Sequence, residues 1–414
     1  MNKVKLGEIL KIKHGFVFKS ENYVDESEYA LVTLANISPT NNFQFNKDNT
    51  TFYGASFPDD FILKEDDLIM PLTEQVIGLF GNTAFVPKMQ GLTFVLNQRV
   101  GKVVPVDGKA DKYYLHYLLA TNLVKDQLEY RASGTRQRNI SPDDVYDVEV
   151  FLPDITTQKK IGKCLYDIEK KVNLNSTIND NLEQQAKLIY DYWFTQFDFP
   201  DENGKPYCSS GGKMVWNEQL KRNIPENWNV VPLLKLVSWE SNSQPPKSEF
   251  VYEPKEGYVR FIQNRDYDSD THITYIPRTK NLSIVDRFDI LMDKYGDAGA
   301  VRYGIEGAFN VALGKICVHN PNYREYIRSF LGSDGIYKFL HNSCMASTRA
   351  SLSEANLAIL NVVVPDEKII LDYENFLHKI RVSILKNKDE TVELINLRDW
   401  LLPMLMNGQA TITD

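Results

Sequence analysis

The chain is poor in the residues that carry chemistry. Its 414 residues include four cysteines, Cys164, Cys208, Cys317 and Cys344, and no two of them stand close together. That spacing excludes a zinc site or a redox pair and predicts buried free thiols in a reducing compartment. The six histidines are isolated, and no HExxH, phosphate-binding GxxxxGK[ST] loop or GxSxG nucleophile turn occurs. No metal site is expected. There is no run of about 18 apolar residues, so no membrane-spanning helix is expected. The opening MNKVKLGEILKIKHG lacks the apolar centre of a secretory signal, which points to a cytoplasmic protein. Positive charge is also in deficit, the formal net charge being −8. A general polyanion binder carries the opposite excess, so any contact with nucleic acid must be local.

What the chain does have is a repeat. SGTRQRNISPDDVYDVEVFLPD at Ser133 to Asp154 returns as ASTRASLSEANLAILNVVVPD at Ala346 to Asp366, a shift of 212 positions. Earlier landmarks pair as well: EDDLIM with RFDILM, and LNQRVGKV with FNVALGKI. A repeat of this length predicts a tandem of two similar units, and the chain is long enough to bury two sizeable cores. Strand-like stretches alternate with Gly, Asn, Asp and Pro turns inside each unit. Frame residues match between the copies and the loops do not. Two sites that read different targets on one scaffold would diverge in this way.

A long helix is expected after each copy. Ile161, Leu165, Ile168, Val172, Asn175, Asn179, Leu182, Ala186, Ile189 and Trp193 follow alternating spacings of four and three. Tyr373, Leu377, Ile380, Ile384, Asn387, Thr391, Leu394, Arg398, Leu401 and Leu405 repeat the pattern. This is the seam of a coiled coil, and the two seams should bury each other. In an antiparallel pairing Asn175 would stand opposite Thr391, and Asn179 opposite Asn387, a polar layer that sets register. A helix of about 33 residues is roughly 50 Å long, so units at its ends would sit more than one DNA turn of about 34–36 Å apart. The expected boundaries are 1–154 and 229–366 for the units, 155–198 and 367–414 for the helical regions, and 199–228 for a connector. The connector shows no helical or strand periodicity, yet Trp216 and Trp228 call for a surface to cover them.

Two tempting active sites fail on spacing. NPNY at Asn320 to Tyr323 resembles the tetrapeptide of amino-methyltransferases, but its third residue is Asn, and no Gly-rich turn for a methyl donor precedes it. Pro153–Asp154 with Glu169 to Lys171 has loose nuclease spacing. Glu169, however, lies within the heptad run and reads as part of a solvated helix face, where it could not share a metal with a strand carboxylate. Basic and amide residues instead recur beside turns: Lys13, Lys19, Arg131, Arg136 and Arg138 in the first unit, and Gln244, Lys247, Gln263, Asn264, Arg265 and Arg349 in the second. Arg, Gln and Asn can contact base edges bidentately in the major groove, while Lys more often holds phosphates.

These residues resemble the specificity subunit of type I restriction-modification systems over essentially the whole chain. The most specific stretch is SSGGKMVWNEQLKRNIPENW after YDYWFTQFDFP, similar to the central region of that family. The two Ser/Thr/Arg loops that lead to FLPD and VVVPD support it, although Ser347 stands where the first copy has Gly134. The resemblance implies an α+β fold, with two target recognition domains separated by a pair of long antiparallel coiled-coil helices in pseudo-twofold arrangement. It implies a non-catalytic chain that reads a split, asymmetric site on double-stranded DNA. Two modification subunits would dock on it and supply S-adenosylmethionine, and restriction or translocase subunits would add ATP- and Mg-dependent steps. The rival readings are a coiled-coil scaffold for protein partners and a self-contained methyltransferase or nuclease.

Overall fold

Both copies of the repeat begin and end on paired strands in the computed structural model, which describes residues 2–75, 77–269, 271–345 and 351–412. Asn2–Lys5 runs antiparallel to Glu149–Leu152, and Asn229–Pro232 runs antiparallel to Asn361–Val364. Between these paired ends each copy builds two four-stranded sheets. In the first copy the order is 10–14, 100–105, 68–71, 84–85 in one sheet and 23–24, 52–53, 29–32, 93–96 in the other. In the second copy it is 237–240, 313–318, 290–293, 301–302 and 275–277, 258–262, 307–309, 284–285. One pair in each second sheet is parallel, Val32 beside Leu96 and Ile262 beside Phe309. The glycine of each GK landmark exists for packing: a Cβ on Gly101 would lie 2.6 Å from Ile12 Cγ2, and one on Gly314 would lie 2.0 Å from the Trp239 ring.

The helices are α1 (Lys112–Leu119), α2 (Asn122–Arg131), α3 (Pro142–Tyr146) and α4 (Ile155–Tyr190) in the first half of the chain. In the second half they are α5 (Arg324–Leu331), α6 (Asp334–Met345), α7 (Glu354–Ala358) and α8 (Glu367–Met406). Asp154 caps α4, its carboxylate accepting from the Thr157 amide at 3.0 Å and the Thr157 hydroxyl at 2.6 Å. The Pro-Asp pair is thus a helix start. Among the described residues no group of His, Cys, Asp and Glu is placed to hold a metal, and no helix is long and apolar enough to cross a membrane.

Residues 1–173 with 391–414 form one unit, and 174–390 form the other, so each unit holds one copy of the repeat and part of each long helix. In the first unit Leu6, Leu10, Met70, Leu115 and Val150 share a core with Ile161 and Leu165 of α4 and with Leu405 and Met406 of α8. In the second, Val237, Met292, Ile316 and Tyr326 pack with Ala186 and Tyr190 of α4 and with Tyr373, Leu377 and Ile384 of α8. Leu165 and Leu377 are fully buried, each contributing about 1.5–3 kcal/mol. Every seam position described above is buried or half-buried.

Within the second unit α4 and α8 run antiparallel: Asn179 meets Asn387, Glu183 meets Arg381, and Trp193 packs against Tyr373. Asn387 Nδ2 donates to Asn179 Oδ1 at 2.9 Å, and Asn179 Nδ2 donates to the Ile384 carbonyl at 3.3 Å. Asn175 donates to Glu390 Oε2 at 2.9 Å and to the Asn387 carbonyl at 3.4 Å. Thr391 lies in the part of α8 that belongs to the first unit.

Three expectations need correction. Glu169 is not on a solvated face. It is buried against α1, accepting from the Tyr117 hydroxyl at 2.8 Å with His116 Nε2 at 3.4 Å. Burial pushes its carboxyl up, but His116, Tyr117 and Arg398 together outweigh burial and hold it below the ordinary value. The connector does contain strands, a hairpin of Met214–Asn217 and Arg222–Pro225. Its two tryptophans also part company. Trp228 is buried and stacks on Phe199, whereas Trp216 is 57% exposed, because a two-stranded ribbon covers only one of its faces.

Candidate nucleic-acid interface

A backbone hydrogen-bond pattern, built twice, gathers the variable loops of each unit. In the first unit the Leu72 amide donates to the Arg99 carbonyl at 2.9 Å, and the Ile140 amide donates to the Leu72 carbonyl at 3.0 Å. The end of strand 68–71, the turn at 97–99 and the Gly/Ser/Thr/Arg loop before Ile140 are thereby held side by side. In the second unit Lys294 donates to Ala312 at 2.8 Å and Leu352 donates to Lys294 at 3.0 Å. Ile140 and Leu352 are partners in the repeat, as are Arg99 and Ala312. These backbone groups are paired within the protein, so the loops are positioned and their side chains are left to vary.

The turn itself is the same in both copies. Asn97 Oδ1 accepts from the Arg99 amide at 3.2 Å, and Asn310 Oδ1 accepts from the Ala312 amide at 3.0 Å. The carbonyls of Asn97 and Asn310 accept from Val100 and Leu313 at 2.9 and 3.1 Å. These are Asx turns, in which the side chain of Asn replaces a backbone acceptor. In the first unit Phe16 joins them, its amide donating to the Leu96 carbonyl and its carbonyl accepting from Gln98. A second turn sits at the end of the neighbouring parallel strand. Thr33 N donates to Asn36 Oδ1 at 2.7 Å in the first unit, and Gln263 N donates to Asp266 Oδ2 at 3.1 Å in the second.

The candidate residues fall into two groups. Arg136, Gln244 and Lys247 are exposed, and Lys19 is exposed with Glu21 at 3.8 Å. The others are engaged. Lys13 Nζ donates to the Asp60 carbonyl at 2.5 Å and lies over the Phe61 ring. Arg131 turns back onto the carbonyls of Gln127 and Asp147 at 3.0 and 3.2 Å. Arg138 is clamped between Glu74, at 2.9 Å, and Glu129, above the Phe80 ring. Gln263 donates to Thr274 Oγ1 at 3.0 Å, and Asn264 bonds to Asp293. Arg265 donates weakly to the His272 carbonyl at 3.4 Å yet stays exposed. Arg349 lies outside the described residues.

Arg136 therefore shares the gathered loops with Arg138, which props them, while Arg131, the last residue of α2, is spent on the carbonyls of Gln127 and Asp147. Sequence reasoning missed Gln98 and Arg99, both exposed at the Asx turn. LNQRVGKVV reads as continuous strand, but strand pairing resumes only at Val100. The Asn that opens the turn in both copies was the available signal.

Residues 1–184 match the model of the type I restriction modification DNA specificity domain. The specificity subunit of the type I restriction enzyme MjaIX from Methanocaldococcus jannaschii is 22% identical over 335 residues, covering 77% of this chain and 73% of that protein. The HindI specificity subunit of Haemophilus influenzae is 23% identical over 362 residues, covering 72% and 77%. The fold is that of the S subunit of a type I restriction-modification system from M. genitalium, at 15% identity and a TM-score of 0.66 over 100% of this chain and 96% of that one. A twice-built loop platform, a shared fold over the full length and a domain model matched by residues 1–184 lead to one likeness: the chain is similar to the specificity subunits of type I restriction enzymes.

Proposed function

We propose that each unit reads one half of a split, asymmetric site on double-stranded DNA, and that the chain performs no chemistry itself. The observation that carries this reading is the loop platform, whose central backbone hydrogen bonds recur in both units while the exposed side chains of its Asx turns differ. A rigid frame with variable exposed residues is what independent base readout requires. Phosphate contacts would come from Lys19, Arg136 and Lys247, and the acidic total is consistent with leaving much of the phosphate affinity to partner subunits. Two modification subunits would bring S-adenosylmethionine and the methyl transfer, and restriction subunits the ATP- and Mg-dependent steps.

The test is domain exchange. With residues 1–154 replaced by the first domain of another family member, and methylated positions mapped in cells, one half of the recognised sequence should change while the other stays. A change in both halves together would reject independent reading, and methylation that no longer depends on the chain would reject the reading altogether.

A further inference from the structure

The two Asx turns differ in what they display. The first carries Gln98 and Arg99, both exposed, and among the described residues the Arg99 guanidinium has no carboxylate partner, unlike Arg138. The second carries Val311, 40% exposed, and the half-buried Ala312. An exposed arginine whose Cα is pinned by the Leu72 bond and the Asn97 side chain is oriented but unspent. Val311 is held by the same geometry, with an apolar side chain at the turn's surface.

The neighbouring turns reverse this order. The first unit has Leu34 and Ala35 after its capping Thr33, and the second has Asn264 and Arg265 after its capping Gln263. The parallel pairs at 32/96 and 262/309 set the two turns of each unit beside one another. In the neighbouring turns Ala35 and Arg265 are exposed, while Leu34 packs against the core and Asn264 is bonded to Asp293, so each unit exposes one arginine-bearing turn and one apolar turn, in exchanged positions. Random drift of loops gives no reason for such an exchange. Readout of a base edge together with a base methyl does.

Resting on the DNA-reading function proposed above, we infer that the Asx turns are base-reading elements: Gln98 and Arg99 recognise the hydrogen-bonding edge of a purine in one half-site, and Val311 with Ala312 packs on a pyrimidine 5-methyl group in the other. Arginine pairs with guanine O6 and N7, glutamine pairs with adenine N6 and N7, and small apolar side chains contact the methyl of thymine. 5-Methylcytosine presents the same methyl group.

The full-length chain, incubated with a duplex library randomised across the site at fixed salt, supplies the test through sequencing of the bound molecules. Arg99→Ala and Gln98→Ala should each lose about ten- to a hundredfold discrimination at one base pair of one half-site, leaving the other half and the melting temperature unchanged. A loss that is uniform across sequences, with the salt slope shallower by about one, would make Arg99 a phosphate contact and overturn the inference, as would an unchanged site. Uracil substituted for each thymine in the second half-site, or 5-methylcytosine for each cytosine, should change affinity about fourfold at one position, and Val311→Ser should abolish that difference. Equal binding with and without every methyl group overturns this half of the inference. A wild-type chain that enriches no sequence would instead remove the DNA-reading function beneath it.

Discussion

Arg138 has its guanidinium between Glu74 and Glu129, whereas Arg136, two residues earlier, is exposed, so the two arginines of one loop should fail differently when removed. Arg138→Ala strands the buried Glu74 carboxylate, which also accepts from the amides of Leu79 and Phe80. Breaking a buried pair on one side costs about 3–5 kcal/mol, visible as a large fall in melting temperature. Arg136→Ala should stay within about 0.5 kcal/mol of wild type in stability and weaken DNA binding across all sequences. Glu374 gives a second residue-scale prediction. Burial, against the amide of Glu325 that it accepts at 2.8 Å, pushes its carboxyl up to about 7 from 4.5. A raised value means that the folded state holds the proton more tightly, so this contribution to stability is complete below about 4.5 and is lost as pH rises through about 7. Chemical denaturation of wild type and Glu374→Gln between those limits should show the wild type losing stability with pH relative to the variant. A constant difference would place the titration elsewhere.

At the scale of the element, the amide pair Asn179–Asn387 sits in the seam of α4 and α8, with both side chains bonded to each other or to backbone. Asn179→Leu leaves the Asn387 amide unpaired in a half-buried seam, costing about 1–3 kcal/mol. The double variant with Asn387→Leu should recover most of that loss, and a denaturant double-mutant cycle measures the coupling. A coupling near zero would mean that water satisfies the amides. The helices were legible in sequence because a seam repeats every three or four residues over many turns, and the repeat doubled the signal. Glu169 was not legible, because α4 also packs against α1, and the periodicity of one helix does not reveal a second neighbour. The hairpin at 214–225 has strands of four residues, too short for alternation to register. Arg138 read as a free base contact because sequence does not show that Glu74, 64 positions away, and Glu129, nine positions away, converge on it. Arg136 carried the same sequence signal, and only burial separates the two.

At the scale of the molecule, a net charge of −8 spread over 414 residues bears on how the chain meets a polyanion. Each phosphate neutralised adds about −0.9 to the slope of log K against log salt. The chain alone should therefore show a shallow slope that steepens when the proposed modification subunits are added, and a titration at several salt concentrations measures both. A slope already steep for the chain alone would mean that it carries the phosphate contacts itself. The paired strands at the two ends of each repeat have a further effect. Because Asn2–Lys5 lies against Glu149–Leu152, and Asn229–Pro232 against Asn361–Val364, each copy of the repeat enters and leaves through a single closed seam. Polypeptide of another length or sequence can be grafted inside such a seam without altering the spacing at its mouth. A population of these chains could thus acquire new address tags by exchanging whole modules, with the supporting helices none the wiser.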